Sequence, residues 1–388
     1  MRRFPTKKLC PLACAVLLLV VSWTPSSQAV LCALDEVPAA TLVVPYFEVD
    51  LDGCGTRDTV VTIVNTVAET TVAHITLWTD WGVPSLDFDV YLTGYDRLEF
   101  SLARAFCDGS IPVTGPNEVN HGAFSEGPAT PAGCENFWPF PDPAIVGNLR
   151  DRVLTFHTGQ ENPQSESCHG ADYGDNVARG WITIDVVEEC SLLFPTDPEY
   201  YLEAIGYDNH LLGEVLFTDS TTGESALMPA IHLEAAPQGT LTRTFYGSLG
   251  GTTLDRREPL PTRYALRTTL GEDSDLIFWR EPFSTHDPIV GVPCGTNPPG
   301  FPVPENPFFA FDEEENPVLF GASASLMTQK SPVTTSDPGW LQFDGRHDGA
   351  LPFFGNDLAQ AWVGKVVRLG ASGQRLTGAG YPVDQICQ

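Results

Sequence analysis

The sequence is poor in positive charge: its 388 residues include 21 Lys and Arg against 50 Asp and Glu, which gives a net charge of -29 at pH 7. A surface with so few cations repels the phosphates of nucleic acids and the anionic headgroups of membranes. Binding to nucleic acid is therefore not an expected function. Beyond Val21 the chain also lacks an apolar run of the roughly 20 residues that a membrane span requires. We expect no membrane span after that point.

The signatures of several enzyme classes are missing as well. The sequence contains no H-E-x-x-H, G-x-S-x-G, G-x-G-x-x-G or P-loop pattern, no C-x-x-C pair and no C-x-x-C-H haem attachment site. Its 8 His are scattered, and none are paired at i, i+4 as in many zinc sites. Catalytic triads have no fixed spacing in sequence. The sequence thus assigns no catalytic residue and no cofactor-binding residue.

The first segment has the layout of a secretory signal peptide. An apolar stretch from Leu9 to Val21 follows a basic start, and small residues at Ser27 and Ala29 suit a signal peptidase. The basic residues are Arg2, Arg3, Lys7 and Lys8. The alternative, a single membrane anchor, needs a longer apolar stretch. We predict a signal peptide at 1–29 and a mature protein that is secreted or periplasmic.

Cysteine usage agrees with export. Cys10 and Cys14 would leave with the signal peptide, and the even number that remains predicts disulfides in an oxidising compartment. These cysteines are Cys32, Cys54, Cys107, Cys134, Cys168, Cys190, Cys294 and Cys387. We predict two local pairs, Cys107 with Cys134 and Cys168 with Cys190, because each would close a loop rich in Gly, Pro and Asn. The remaining pairing is open, since sequence alone does not determine it.

Alternation of apolar and polar residues predicts short strands. From Thr41 to Asp52, the apolar Phe47, Val49 and Leu51 alternate with acidic residues, which indicates a strand with one solvated face. Similar strands are predicted at 59–65, 72–79, 86–92, 98–102, 180–187, 213–218 and 226–234. Short strands at roughly ten-residue spacing are typical of antiparallel sandwiches. We predict a mainly β protein with two immunoglobulin-like antiparallel β-sandwich domains.

The predicted first domain spans 30–238 and carries a loop and short-helix insertion at about 108–175. Asp142-Pro143 is a cap followed by proline, which predicts a helix over 143–156, and Asp197-Pro198 predicts a second short helix. The predicted second, smaller β domain spans 239–388. Its strands are expected at 265–269, 275–279, 308–312, 340–343 and 361–369, with a Pro-rich linker at 297–307.

Acidic pairs suggest a cation site. Asp50 and Asp52 lie on one predicted strand and Asp87 and Asp89 on another, and residues at i, i+2 share a strand face. Two such strands side by side would supply the oxygen ligands that Ca²⁺ prefers. The alternative is a solvated face of an acidic protein, and the same holds for the acidic run at 312–315. The sequence therefore offers Ca²⁺ as the candidate metal.

Two tryptophans are candidate ligand contacts. Trp78 and Trp81 lie at the end of a predicted strand, where their rings would stack on a sugar; alternatively they pack beneath the sandwich edge. The aspartate pairs would serve glycoside hydrolysis only if they faced each other at roughly 5 to 10 Å across a cleft. Sequence does not show such a separation.

Several segments resemble a group of uncharacterised secreted bacterial proteins. They are VPYFEVDLDG at 44–53, LWTDWGVPSLDFDVYLTGYD at 77–96, ARGWITIDVV from Ala178, LLFPTDPEYY from Leu192, IHLEA from Ile231, DEEENPV from Asp312 and AQAWV from Ala359. The resemblance implies an exported bacterial protein and supplies no catalytic residue. We expect a structural or interaction protein that binds an extracellular or envelope protein or a glycan through sandwich loops or edges. The alternative is an exported glycan-acting hydrolase with paired carboxylates.

Overall fold

The computed structural model describes residues 36–109, 112, 154–163, 166–191, 193–236, 244–247, 255–268, 273–280, 292–296, 308–318, 327–333, 339–344, 360–369, 374–379 and 381–382. The predicted signal peptide, the linker at 297–307 and most of the predicted insertion lie outside these ranges. Among the described residues, no helix is both long and apolar enough to cross a membrane.

The described chain is mainly β, as predicted. The strands are β1 (Thr41–Asp50), β2 (Arg57–Asn65), β3 (Thr71–Thr79), β4 (Pro84–Leu92), β5 (Arg97–Ser101), β6 (Val177–Val187), β7 (Leu211–Asp219), β8 (Glu224–Pro229), β9 (Ile231–Leu233), β10 (Arg263–Thr268), β11 (Ser274–Arg280), β12 (Phe308–Asp312), β13 (Pro317–Val318), β14 (Thr328–Pro332), β15 (Gly339–Asp344), β16 (Ala361–Leu369), β17 (Gln374–Ala379) and β18 (Tyr381–Pro382). A π-helical turn covers Arg104–Asp108, and a short helix α1 covers Tyr200–Glu203.

The strands form three sheets. The first, here called the central sheet, has the order β4-β3-β6-β1-β9, and a second five-stranded sheet has the order β13-β12-β15-β10-β18. An eight-stranded sheet runs β14-β11-β16-β17-β8-β7-β2-β5, with one parallel contact between β17 and β8. The other named pairs are antiparallel, which fits the predicted sandwich class. The immunoglobulin-like strand order is not confirmed.

The central sheet is covered on both faces. Alternate residues of β6 point to opposite faces, yet both Trp181 and Ile182 are fully buried. Trp181 stacks on Trp78 at 4.8 Å between ring centroids and meets Trp279 of β11 edge-on at 5.4 Å. The predicted solvated face of β1 is therefore wrong. Residues 41 to 49 of that strand are buried, because elements distant in sequence cover them.

Strands from both sides of the predicted boundary at 238/239 share the eight-stranded sheet. β2, β5, β7 and β8 come from the first part and β11, β14, β16 and β17 from the second. The described residues from 36 onward belong to one compact unit. The division into domains at 30–238 and 239–388 stays a prediction.

The predicted strands are present, but the structure also contains strands that the sequence did not predict. The helix predicted over 143–156 is described only at its end, where 154–158 are helical, and the second predicted helix is α1. β13, β14, β17 and β18 were not predicted. β14 has the sequence TQKSP, which lacks alternation and ends in proline, so its strand character depends on pairing with β11.

Both predicted local disulfides are wrong. Cys107 pairs with Cys54, and Cys168 pairs with Cys294, at sequence separations of 53 and 126 residues. Cys190 is also disulfide-bonded. Cys32, Cys134 and Cys387 lie outside the described residues. The folded chain brings cysteines together across elements, whereas loop composition reports only on nearby pairs.

Candidate functional site

The aspartates at the end of β1 stabilise a turn. Asp50 accepts hydrogen bonds from the Thr56 hydroxyl at 2.5 Å and from the backbone N–H groups of Asp52 and Gly53. The bond from Thr56 contributes most to a lowered pKa of Asp50. Asp52 accepts from the Asn176 side-chain amide at 2.6 Å. Both carboxylates therefore fix the connection between β1 and β2.

The aspartates of β4 face a buried histidine. Asp89 lies opposite His74 in the β3–β4 register, and its Oδ1 is 2.8 Å from His74 Nδ1. Asp87 Oδ2 lies 4.0 Å from His74 Nε2. Burial disfavours the charged imidazole, but the hydrogen bond and charge of Asp89 outweigh it and raise the pKa of His74. The β4 pair therefore serves as the counter-charge of His74.

The structure contradicts the predicted side-by-side arrangement of these two pairs. β3 and β6 lie between β4 and β1 in the central sheet. The register also aligns Asp89 with His74, Asp185 and Thr41, at the opposite end of β1 from Asp50. Asp50, Asp52, Asp87 and Asp89 therefore cannot share one Ca²⁺ ion or flank one glycosidic bond. Among the described residues, no group of three or more His, Cys, Asp or Glu is arranged to hold a metal.

The two candidate tryptophans are not surface contacts. Trp78 is fully buried and donates from its indole N–H to the Thr183 hydroxyl at 2.9 Å. Trp81 packs in a small cluster with Val83, Phe156 and Cys168. The alternative interpretation, packing beneath the sandwich, is the one that the structure supports.

A buried network of polar side chains surrounds Asp185 of β6, and the sequence did not predict it. Asp185 on β6 accepts hydrogen bonds from the Tyr200 and Tyr246 hydroxyls, each at 2.7 Å, and from Thr41. Arg257 donates from Nε to the Thr41 hydroxyl at 2.7 Å, and its Nε lies 3.8 Å from Asp185. All five side chains are buried. This network is enclosed by protein and offers no surface to a ligand, so we assign it to structure.

Ser85 and His157 have the spacing of a nucleophile and its base. Ser85 Oγ is 2.6 Å from His157 Nε2, and His157 Nδ1 is 2.8 Å from the carbonyl oxygen of Arg179. Since that carbonyl only accepts, Nδ1 carries the proton and Nε2 is an acceptor. The single proton of the Ser85 hydroxyl therefore serves both Nε2 and the Leu77 carbonyl oxygen, which lies 3.1 Å from Oγ. Burial lowers the pKa of His157 to about 4. The two side chains are only 1% and 2% exposed, however, and Phe47 and Phe106 pack on the imidazole. A buried structural hydrogen bond is the better assignment.

An open groove lies on the eight-stranded sheet, next to β9, which is an edge strand of the central sheet. Its volume is about 450 Å³, within the range of small-molecule sites. Its walls come from the segment before β1, from β2, β5, β7 and β8, and from β9. The lining residues are Glu36, Thr62, Val64, Arg97, Leu212, Gly213, Glu214, Leu227, Pro229 and His232.

Strand register explains why these side chains converge. Thr62 lies opposite Glu214, and Val64 lies opposite both Leu212 and Arg97. Residues that face each other across antiparallel strands share a sheet face. The groove floor therefore has an apolar stretch beside polar groups. His232 closes the end near β9, where its Nε2 accepts from the Gly213 backbone N–H at 3.2 Å.

The electrostatics of the groove favour a neutral or cationic ligand. Arg97 donates to the Glu99 carboxylate at 2.5 Å, and this carboxylate balances the charge of the guanidinium. Arg97 also donates to the Thr62 hydroxyl at 3.3 Å. Glu36 and Glu214 add negative charge to the lining. Leu227 is 52% exposed in the same lining and offers an apolar surface to a ligand. The groove thus combines an apolar contact with acidic groups.

Sequence reasoning missed all of the groove residues. β8 reads ESALMP, in which three consecutive apolar residues hide the outward position of Leu227. No protein-family model, curated protein or solved structure matches this chain. The resemblance to secreted bacterial proteins stays a prediction.

Proposed function

We propose that this protein is an extracytoplasmic binding protein that takes its ligand in the groove of about 450 Å³ between β2, β5, β7, β8 and β9. The groove is the observation that carries the proposal. Its apolar lining residues Val64, Leu212 and Leu227 suit apolar portions of the ligand. Glu36 and Glu214 suit a cationic or hydrogen-bond-donating portion. Export is supported by the disulfides at Cys54–Cys107 and Cys168–Cys294, since such bonds persist in oxidising compartments.

The test is site-specific photo-crosslinking in producing cells. Leu227 is replaced by a benzophenone-bearing amino acid, and the matched control carries it at Leu202 of α1, which is 66% exposed and does not line the groove. We expect a defined adduct from position 227 that is absent at position 202 and is reduced by Glu214→Lys. Identical adducts from both positions, or none from position 227, would overturn the proposal.

A second candidate, an exported hydrolase, retains one supporting observation. Glu36 and Glu214 line the same groove, and two carboxylates across a cleft are the minimum for glycoside hydrolysis. A panel of chromogenic glycosides tests it. If the protein is a hydrolase, Glu36→Gln and Glu214→Gln should each lower the rate by about 100-fold or more. If the wild-type protein hydrolyses none of the panel, the binding function stands alone.

A further inference from the structure

The outer face of the second five-stranded sheet carries exposed aromatic rings. Phe308, Leu341 and Phe343 point inward and belong to the core. The alternate residues Phe309 and Trp340 are 52% and 43% exposed, and Phe311 is half-buried. We call Phe309, Phe311 and Trp340 the aromatic strip. Unlike the groove, this surface belongs entirely to strands that follow residue 300.

Register places the three rings next to one another. Phe311 of β12 lies opposite Trp340 of β15, and Phe309 lies opposite Gln342. Phe309 and Trp340 are therefore diagonal neighbours, roughly 7 to 8 Å apart along the sheet surface. The three aromatic side chains therefore share one face of a pair of neighbouring strands.

Polar groups surround the strip and hold one ring in position. The Arg267 guanidinium lies over the Trp340 ring, 5.4 Å from its centroid. Glu313 pairs with the same guanidinium, which fixes it in place. Gln342 lies directly opposite Phe309 and two residues after Trp340 on β15, so its half-buried side chain is on the same face. Hydrogen-bonding groups thus alternate with aromatic faces.

We infer that the aromatic strip binds an uncharged polysaccharide chain. Aromatic rings offer apolar faces on which sugar rings stack, and the amide of Gln342 is placed to bond their hydroxyls. Charge selects among ligands. Arg267 is paired with Glu313, so it is not a free counter-charge for an acidic ligand, and the exposed Glu314 and Glu315 that follow β12 repel such a ligand. The net charge of -29 repels an acidic polysaccharide, and it also repels a second copy of this chain docked face to face.

Affinity electrophoresis of the full mature chain tests the inference. The gels contain cellulose derivatives, xylan, mixed-linkage β-glucan or starch as uncharged probes, and polygalacturonate as the acidic one. We expect retardation by at least one uncharged probe and none by polygalacturonate. Trp340→Ala and Phe309→Ala should each weaken that retardation by about tenfold. Tyr95→Asn is the matched control, since Tyr95 is 71% exposed on a distant turn and asparagine tolerates its positive φ of 60°.

Because the substituted side chains are exposed, each variant should melt at nearly the temperature of the wild-type protein. Thermal melts of each variant check that it is folded. Three outcomes would overturn the inference. The first is that no uncharged probe retards the wild-type protein, and the second is equal retardation of wild type and Trp340→Ala. The third is that Trp340→Ala converts a dimer to a monomer in sedimentation, which would make the strip an interface between copies. Glu214→Lys should leave the retardation unchanged, so failure here is separate from failure of the groove.

Discussion

Asp80 is a carboxyl group held away from water. It is 3% exposed and accepts hydrogen bonds from the Ala171 backbone N–H at 3.0 Å and the Tyr173 hydroxyl at 3.1 Å. Burial raises its pKa to about 7 against the lowering effect of those bonds. Because an unfolded aspartate titrates near about 3.9, the folded state binds the proton more tightly. The contribution of protonated Asp80 to the free energy of unfolding is therefore complete at low pH and is lost as the pH rises towards 7.

We predict that Asp80→Asn stabilises the protein above pH 7. The amide mimics the protonated acid: its oxygen accepts from the Ala171 N–H, and its NH2 group donates to the Tyr173 hydroxyl oxygen. The free energy of unfolding at pH 8 should therefore rise by about 2 to 4 kcal/mol, with little change at pH 4. Denaturant titration at the two pH values measures it. Asp175→Asn is a control of opposite sign, because the bonds from Arg179 lower the pKa of Asp175. A loss of stability in Asp80→Asn at pH 8 would refute the prediction.

The pH dependence of the free energy of unfolding of the wild-type protein does not by itself report on Asp80. Burial lowers the pKa of His157 to about 4, so His157 makes stability rise with pH between about 4 and 6.5, against the effect of Asp80. The two slopes oppose each other within that window. The difference between wild type and Asp80→Asn removes the His157 contribution, since both proteins share it.

Asp185 is the common acceptor of its network. Replacing it with Ala leaves the Tyr200 and Tyr246 hydroxyls without that acceptor and removes the carboxylate that lies 3.8 Å from Arg257 Nε. We expect a loss of about 3 to 5 kcal/mol in the free energy of unfolding, as for other uncompensated buried charges. Tyr246→Phe removes a single donor and should cost about 1 kcal/mol. Equal effects of the two substitutions in denaturant titration would show that the network is not centred on Asp185.

At the level of elements, one ion pair joins two sheets. Glu48 on β1 of the central sheet lies 2.6 Å from Lys330 Nζ on β14 of the eight-stranded sheet, and Arg57 on β2 lies 3.8 Å away. Burial alone would raise the pKa of Glu48, but Lys330 and Arg57 outweigh it and lower that pKa. Stability from this depressed pKa is present at neutral pH and is lost as the pH falls through the folded-state value.

Lys330→Met should destabilise the fold by about 2 to 4 kcal/mol at neutral pH, because the buried carboxylate then keeps the Tyr46 hydroxyl and, as its cation, only the more distant Arg57. The deficit should shrink on acidification, as Glu48 takes up a proton. Adding Glu48→Gln should recover part of the loss at pH 7, since no buried charge remains. If the double variant is as unstable as the sum of the two single variants, the pair is not coupled.

The same pair shows what sequence can and cannot predict about elements. Alternation located β1 to β12 with small boundary errors, apart from the break between β8 and β9, because period-two patterns are local. The alternation did not predict which strand faces are buried. Glu48 alternates with Phe47 and Val49 like a solvated residue, but it is buried and paired with Lys330, which is 282 positions away. A buried acid with a distant counter-charge has the same local pattern as an exposed one.

Surfaces are also properties of the whole sheet. The groove and the aromatic strip each depend on cross-strand neighbours, such as Thr62 with Glu214 and Phe311 with Trp340. Neither pair is adjacent in sequence, so the candidate site could not be predicted from spacing. The candidate metal and sugar contacts were chosen by local motif, and the structure places those residues in turns or in the core.

At the scale of the whole molecule, the first part of the chain depends on the second. Trp279, Phe245 and Tyr246 pack near the Trp181 face of the central sheet, and Arg257 donates to Thr41. The Cys168–Cys294 bond closes 126 residues across the predicted boundary. In the loop-entropy model such a bond stabilises the fold by about 5 kcal/mol. These contacts would all be lost in a chain that ends near Pro237.

We therefore predict that a chain ending at Pro237 does not fold, because it exposes Trp181 and leaves Asp185 and Glu48 without their cationic partners Arg257 and Lys330. The expected result is no cooperative thermal transition and poor amide dispersion. The full chain with Cys168→Ser and Cys294→Ser is the control, since it loses the covalent link but keeps the core, and it should melt cooperatively at a lower temperature. A cooperative melt of the shortened chain would instead establish 30–238 as an independent domain, and the shared sheet would then be a docking contact between two domains.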